Sequence, residues 1–237
     1  MKKKISILVF AIILLIGMTG CTKNAKPSST GTNDGASSTG KNTNNEKNKN
    51  EKSYSPSELE KNVTSSGSVD ESGRLVVIVK NNNKVDVDLN VEAEFYDANG
   101  GIAGSDSDDL YAVGAGSEAA LSMISTPENF DNYKIYIDAE ETEHKSYLKN
   151  VEISSNDNGE DIVAQVKNNS NDTIESIDVS VVFYKGDKII GYSDGTEIDT
   201  KSGRSANFTL SYPYDKEYND IKFDNYKVYL NGAYSYK

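Results

Sequence analysis

The sequence has 237 residues, a formal net charge of −12 and a single cysteine. So acidic a chain argues against nucleic acid as a partner, because neutralising phosphates requires an excess of lysine and arginine. One cysteine permits neither an intramolecular disulfide nor a cysteine-based zinc cluster. We therefore expect a fold that packing alone holds together, with no cofactor.

Residues 1–20 have the pattern of a secretory signal peptide. Three lysines come first, an apolar run extends from Ile5 to Ile16, and Thr19-Gly20 immediately precede Cys21. The apolar run of about a dozen residues is short for a permanent helix across a bilayer core of ~30 Å. Small residues followed directly by a cysteine resemble the lipobox of bacterial lipoproteins, although Met18 stands where leucine is usual.

The lipobox resemblance implies that the chain is cleaved before Cys21 and that acyl chains, palmitate among them, are attached to this residue. Such a lipid anchor would hold the protein at the extracytoplasmic side of the cell membrane. Anchoring is stable when there is more than one acyl chain, since each buried methylene contributes about 0.8 kcal/mol. The alternative is an ordinary signal peptide in which Cys21 has no special role.

Residues 21–54 are rich in Asn, Ser, Thr, Gly and Lys and contain almost nothing apolar. A segment of this composition cannot bury enough surface to offset the entropy of ordering it, so it is predicted to be a disordered tether. As a flexible coil it would span roughly 30 Å. A short helix is predicted over 55–61, with Ser55 as its cap, Pro56 in the first turn and Glu58 in the capping-box position.

The rest of the chain contains an internal repeat. Residues 130–137 (FDNYKIYI) return as residues 223–230 (FDNYKVYL), with both differences exchanging one aliphatic residue for another. We therefore predict two copies of one domain, at 62–141 and 147–237, joined by a short polar connection. Residues 1–20 contribute a charge of +3 through their lysines, and residues 22–63 contribute a net charge of +2. Residues 64–237 therefore carry a net charge of −17.

Each copy contains short strand patterns separated by turn signals. The row from Val87 to Phe95 alternates apolar and polar residues, and copy two repeats this from Ile177 to Phe183. Alternation of this kind predicts antiparallel sheets with one buried face. Asn99-Gly100 predicts a hairpin turn, and Gly186 marks its counterpart. We expect an all-β protein, namely two tandem immunoglobulin-like antiparallel β-sandwiches after the disordered tether.

Both copies resemble the FxLYD family of bacterial β-sandwich domains. The resemblance depends on the Val-Lys-Asn-Asn segments at 79–82 and 166–169, the Phe-Tyr ends of the long strands and the closing Tyr-x-Val/Ile strands. The family's name motif falls on residues 93–97 and 181–185, where Ala93 and Val181 replace its leading Phe and only Asp97 keeps its Asp. The resemblance implies a sandwich fold and neither catalytic residues nor an agreed ligand.

Residues with catalytic or metal-binding chemistry are few. His144 is the only histidine and falls in the polar connection, so we expect it to be an exposed linker residue. Asp106, Asp108 and Asp109 have calcium-like spacing, but no glycine and glutamate follow to complete an EF-hand loop. A solvated loop is therefore expected at these aspartates, with calcium binding as the alternative.

Fifteen tyrosines and no tryptophan make tyrosine the main aromatic residue. Strand alternation predicts that Tyr136 and Tyr229 face outward, and Tyr234 and Tyr236 continue this pattern. We expect mainly structural roles for them, although tyrosine is also common at recognition surfaces. The sequence thus predicts a lipid-anchored, non-catalytic binding protein with an extracellular protein or glycan as partner. A glycan-binding module pair using exposed tyrosines is the alternative, and an enzyme or enzyme inhibitor is a third class that the sequence leaves open.

Overall fold

The computed structural model describes residues 54–237, which belong to one compact unit. The predicted signal peptide, the Cys21 lipidation site and the tether predicted over 21–54 lie outside the described residues, apart from Tyr54. No helix in the described part is long and apolar enough to cross a membrane.

The predicted short helix is present as α1, Pro56–Glu60. The Ser55 backbone N–H donates a hydrogen bond to the Glu58 carboxylate at 3.0 Å. This bond satisfies one of the backbone donors that a helix start leaves without a partner. Leu59 is buried and fixes α1 to the end of the first sandwich.

Repeat 1 is a sandwich of two antiparallel three-stranded sheets. Its strands are β1 Val63–Val69, β2 Leu75–Asn81, β3 Val87–Tyr96, β4 Ile102–Val113, β5 Glu118–Met123 and β6 Asn132–Glu141. One sheet has the order β1-β2-β5 and the other has the order β4-β3-β6. The predicted hairpin joins β3 to β4, with Gly100 at a φ of 81° that glycine adopts without strain.

Repeat 2 has the same arrangement with one strand added. Its sheets have the orders β12-β9-β8 and β11-β10-β13-β7, where β7 is a short strand from the connection between the repeats. The bounds are β7 Lys145–Ser146, a 3-10 turn at Leu148–Asn150, β8 Val151–Asp157, β9 Asp161–Asn168, β10 Ile174–Lys185, β11 Lys188–Thr200, β12 Ser205–Ser211 and β13 Asn225–Ser235. The predicted all-β fold of antiparallel sandwiches is confirmed.

Each repeat has its own apolar core between its two sheets. Phe95 is fully buried at the centre of repeat 1, and Phe183 is fully buried at the equivalent position of repeat 2. The inward-facing rows predicted from Val87 to Phe95 and from Ile177 to Phe183 are confirmed. The alternation of side chains along a strand therefore gave the correct register in both copies.

The repeats also share a third apolar cluster, which strand alternation did not predict. It joins the outer face of sheet β1-β2-β5 to the outer face of sheet β11-β10-β13-β7. Its buried members are Val76, Ala120, Val182, Ile189, Tyr192 and Tyr229. The interface is head-to-tail, because the two repeats contribute non-equivalent sheets. Repeat 1 contributes β1-β2-β5, whereas repeat 2 contributes the sheet that corresponds to β4-β3-β6 of repeat 1.

A β-bulge in β13 connects the repeats through hydrogen bonds. Asp178 pairs with Gly232 and Val179 with Leu230, so Asn231 is the extra residue of the bulge. Its amide accepts a bond from the Ala120 N–H at 3.0 Å and donates one to the Ala120 carbonyl at 2.8 Å. A Cβ on Gly232 would lie 2.6 Å from the carbonyl oxygen of Tyr111, so glycine allows the two backbones to approach.

Candidate functional site

The most exposed tyrosine of the described residues lies on an insertion that distinguishes repeat 2 from repeat 1. Twelve residues, 211–222, separate the last core residue of β12 from Phe223, whereas six residues, 124–129, fill the same interval in repeat 1. Tyr218 projects from this insertion with 81% of its surface exposed. Its backbone has a φ of 62°, which is uncommon for a residue other than glycine.

The insertion is ordered by a single carboxylate. Asp215 accepts hydrogen bonds from the backbone N–H groups of Glu217, at 3.0 Å, and Asn219, at 2.9 Å. These bonds, led by the one from Asn219, hold the pKa of Asp215 below its usual value. The Tyr218 N–H donates to the Asp215 carbonyl at 3.0 Å, which closes the turn. The strained backbone of Tyr218 is thus held in place by its own loop.

Two further residues complete a surface that we call the tyrosine platform, consisting of Tyr218, Tyr214 and Arg74. The Tyr218 and Tyr214 rings stack with centroids 5.4 Å apart and planes 22° apart. The Arg74 guanidinium lies 5.5 Å from the centroid of Tyr214. Arg74 also donates to the carbonyl of Tyr192 at 3.1 Å, so residues of both repeats contribute to the platform.

Two of the four tyrosines predicted to be exposed are buried. Tyr136 is exposed, as predicted, and Tyr236 is exposed as well. Tyr229 and Tyr234 are each only 4% exposed, so the prediction for these two residues is wrong. The side chains do point away from the core of repeat 2, but repeat 1 covers Tyr229, and Tyr234 packs against Tyr111.

His144 is not the exposed linker residue that the sequence predicted. Its Nδ1 lies 3.1 Å from a carboxylate oxygen of Asp88, and its side chain is 15% exposed. Its ring contacts those of Tyr111, Tyr234 and Tyr236, with centroids 4.9 to 5.2 Å apart. The connection between the repeats is therefore packed, and Lys145–Ser146 pairs with β13. These partners are distant in sequence, so no local pattern indicated the contact.

The aspartates with calcium-like spacing lie on strand β4 and not on a solvated loop. Asp108 pairs with Val91 and Asp109 with Asn90, so these two carboxylates occupy opposite faces of the strand. Asp109 accepts a hydrogen bond from the Asn90 amide at 2.8 Å, and Asp106 accepts one from the Ser125 N–H at 2.7 Å. Within residues 54–237, no group of three or more His, Cys, Asp or Glu side chains is arranged to hold a metal ion.

An acidic cleft of about 220 Å³ lies between residues of β4 in repeat 1 and of β11 in repeat 2. Asp108 and Asp194 line it from the two sides. Partial desolvation raises the pKa of Asp194, and the negative charges of Asp108 and Asp178 raise it further against the opposing effect of Arg74. Desolvation likewise raises the pKa of Asp108. The cleft therefore destabilises the ionised form of both carboxylates.

No family model matches the chain, and no curated protein matches it. Among solved structures, it is similar to the crystal structure of red sea bream transglutaminase with 10% sequence identity and a TM-score of 0.19. That match covers 64% of this chain and 26% of the transglutaminase. A likeness this distant supports no conclusion about activity.

Proposed function

We propose that this protein is a lipid-anchored, extracytoplasmic binding protein of the cell envelope, built from two FxLYD-like domains and acting without catalysis. The lipobox-like sequence ending in Cys21 supports the anchor and its location. The tyrosine platform is the proposed binding surface, and its partner is an extracellular protein.

The exposed ring of Tyr218 is the observation that carries this proposal. An aromatic side chain left in water on an ordered loop forgoes the free energy that burial would supply. The same residue holds a strained backbone, a feature that is concentrated at binding and active sites. Because the loop is already ordered, little entropy would be lost when a partner covers the ring.

Retention of the soluble ectodomain by intact cells tests the platform. Tyr218→Ser should abolish retention, because it removes the exposed ring and leaves the sandwich core untouched. Tyr136→Ser, which removes an exposed tyrosine of repeat 1, is the matched control and should be retained like the unaltered protein. Equal retention of all three proteins would refute the platform as the binding surface.

Lipid anchoring is tested separately at Cys21. Cys21→Ala should release the protein from the membrane fraction or leave it as an uncleaved precursor, because no acyl chain can be attached. Mass spectrometry of fractionated cells distinguishes these forms. A variant that has the mature mass and remains with the membrane would contradict the proposed anchor.

Glycan binding is the second candidate function, and the free face of the Tyr218 ring is the observation that favours it. Tyr214 and Tyr218 stack on each other and do not form a coplanar row, so a sugar would meet one ring and not a track of rings. Co-sedimentation with purified cell-wall polysaccharide, compared with a protease-treated cell surface, distinguishes this function from protein binding. Retention that survives protease and is lost in Tyr218→Ser would favour the glycan.

A further inference from the structure

Repeat 1 contains a groove between helix α1 and strands β3, β4 and β6. Its volume is about 510 Å³, within the usual range of ligand sites. The residues that concern its chemistry are Glu60, Asp88, Asp109, Tyr111, Asp138 and Glu140. Apolar contributions from Pro56 and Ala139 complete the wall.

The groove is lined by five carboxylates and by no lysine or arginine. The Asp88 carboxylate is hydrogen-bonded to His144 and to the Ala112 N–H. The Asp109 carboxylate is hydrogen-bonded to Asn90 and Tyr111. Glu60, Asp138 and Glu140 have no side-chain hydrogen bond or ion pair with any other residue of 54–237. A concave surface with three free acids concentrates negative potential and attracts cations.

Tyr111 adds an aromatic surface to this acidic groove. Its ring is 38% exposed, and its buried side packs against the rings of His144 and Tyr234. Its hydroxyl lies 3.3 Å from the Asp109 carboxylate, which fixes the ring's orientation. A fixed ring next to carboxylates favours an ammonium or guanidinium group with an aliphatic stem, because the stem packs on the ring and the charge reaches the acids.

We propose that this groove binds a basic peptide segment of a partner protein, with lysine or arginine side chains directed at Glu60, Asp138 and Glu140 and one aliphatic stem packed on Tyr111. Charge complementarity identifies the occupant: the rim offers free carboxylates at several points, as a segment with several cations requires. The groove shares no residue with the tyrosine platform. The proposal for either site can therefore be refuted without affecting the proposal for the other.

A fluorescently labelled tetralysine peptide is the probe, and its binding to the mature lipidated protein in nonionic detergent is measured by anisotropy. The triple variant Glu60→Gln, Asp138→Asn, Glu140→Gln should bind the peptide at least about tenfold more weakly. The control variant Glu152→Gln, Glu160→Gln, Glu197→Gln makes the same change in net charge on exposed acids of repeat 2. It should retain the affinity within about twofold.

Equal losses in the two triple variants would overturn the proposal, because they would show attraction to overall charge and not to the groove. Unlabelled tetralysine and spermine are then compared as competitors of the labelled peptide. Equal potency of the two would also overturn the proposal, since the peptide backbone would then contribute nothing to binding. Tyr111→Leu should weaken peptide binding, because the lysine whose stem packs on the ring loses the aromatic face. Far-ultraviolet circular dichroism of each variant confirms that it is folded before affinities are compared.

Discussion

Asn231 shows how one residue substitutes for a strand. Its amide bonds both to the N–H and to the carbonyl of Ala120, as a neighbouring backbone would, and Ser180 and Tyr192 donate to the same carbonyl. The bulge turns this side chain toward repeat 1. The apolar contacts of the interface are non-directional, so directional bonds such as this pair contribute to the register between the repeats.

Replacing Asn231 by leucine should destabilise the protein by about 1–3 kcal/mol. The Ala120 N–H then lies buried without an acceptor, whereas its carbonyl keeps the bonds from Ser180 and Tyr192. Chemical denaturation measures the loss. Asn207→Leu, which removes an exposed amide bonded to Gln165, should change stability by no more than about 0.5 kcal/mol. Similar losses for the two variants would contradict the role given to Asn231.

The raised pKa of Asp194 should lower the stability of the protein at neutral pH. Its pKa is raised in the folded protein, so the ionised form is less favourable there than in the unfolded chain. This penalty is present at neutral pH and disappears as pH falls through the raised pKa toward about 3.9, the unfolded value. Asp194→Asn should therefore raise the melting temperature at pH 7 and have little effect near pH 3.5.

Asp187→Asn, on the β10–β11 turn, is the control for overall charge in that experiment. It makes the same change in net charge at an exposed position away from the cleft. The melting temperature at pH 7 should rise less for this variant than for Asp194→Asn. An equal rise would mean that the cleft has no special effect.

Comparison of equivalent strands shows which elements of the fold could be predicted from the sequence. Apolar and polar residues alternate in β9, where Gln165 and Lys167 face solvent, as the alternation indicates for a strand buried on one face. In β2 the run Leu75–Val79 is apolar at every position, which is typical of a strand buried on both faces. The difference between the alternating β9 and the wholly apolar β2 was one sequence signal for an interface between the repeats. The other was Val182, an apolar residue at the outward-facing position that Glu94 occupies in repeat 1.

Tyrosine substitutions in β6 and β13 should show whether a strand's outer face is covered by the other repeat or exposed to solvent. Tyr229→Ala should cost about 3 kcal/mol, because the ring is buried under repeat 1, and Phe183→Ala should cost about 3–5 kcal/mol. Tyr136→Ala, at the equivalent exposed position of repeat 1, should cost about 1 kcal/mol or less. Thermal or chemical unfolding gives the order, and a Tyr229 variant as mild as the Tyr136 variant would contradict the burial.

At the scale of the whole molecule, the candidate sites were less predictable than the fold. The tyrosine platform combines Arg74 with Tyr214, and the groove combines Glu60 with Asp138, so each depends on residues far apart in the chain. Strand periodicity specifies which face a residue occupies but not what covers that face. Tyr229 shows this limit: its face was predicted correctly, and its exposure was not.

The two repeats should fold separately and then bind each other. Each has its own core, so fragments 54–141 and 142–237 should give dispersed NMR spectra, the first fragment keeping Leu59 of α1 and the second keeping β7. Separation exposes Val76, Val182 and Tyr229, so mixing the fragments should shift resonances of these residues and raise both melting temperatures. Val182→Asp should block the association, because the carboxylate would be buried without a partner. Flat spectra from both fragments would contradict autonomous folding.

The head-to-tail interface leaves two outer faces that could, by the same geometry, receive further copies and propagate into a fibre. Both faces are unsuited to it. On the free outer face of repeat 1, Glu92 and Glu94 occupy the positions that Ser180 and Val182 occupy in the interface face of repeat 2. On the free outer face of repeat 2, Gln165 and Asn207 occupy the positions that Ile78 and Ala120 occupy in the interface face of repeat 1. A third unit would have to bury the carboxylates of Glu92 and Glu94 on one face or the amides of Gln165 and Asn207 on the other, which is costly. The stack thus terminates at two, and molecules crowded together at high concentration would remain discrete.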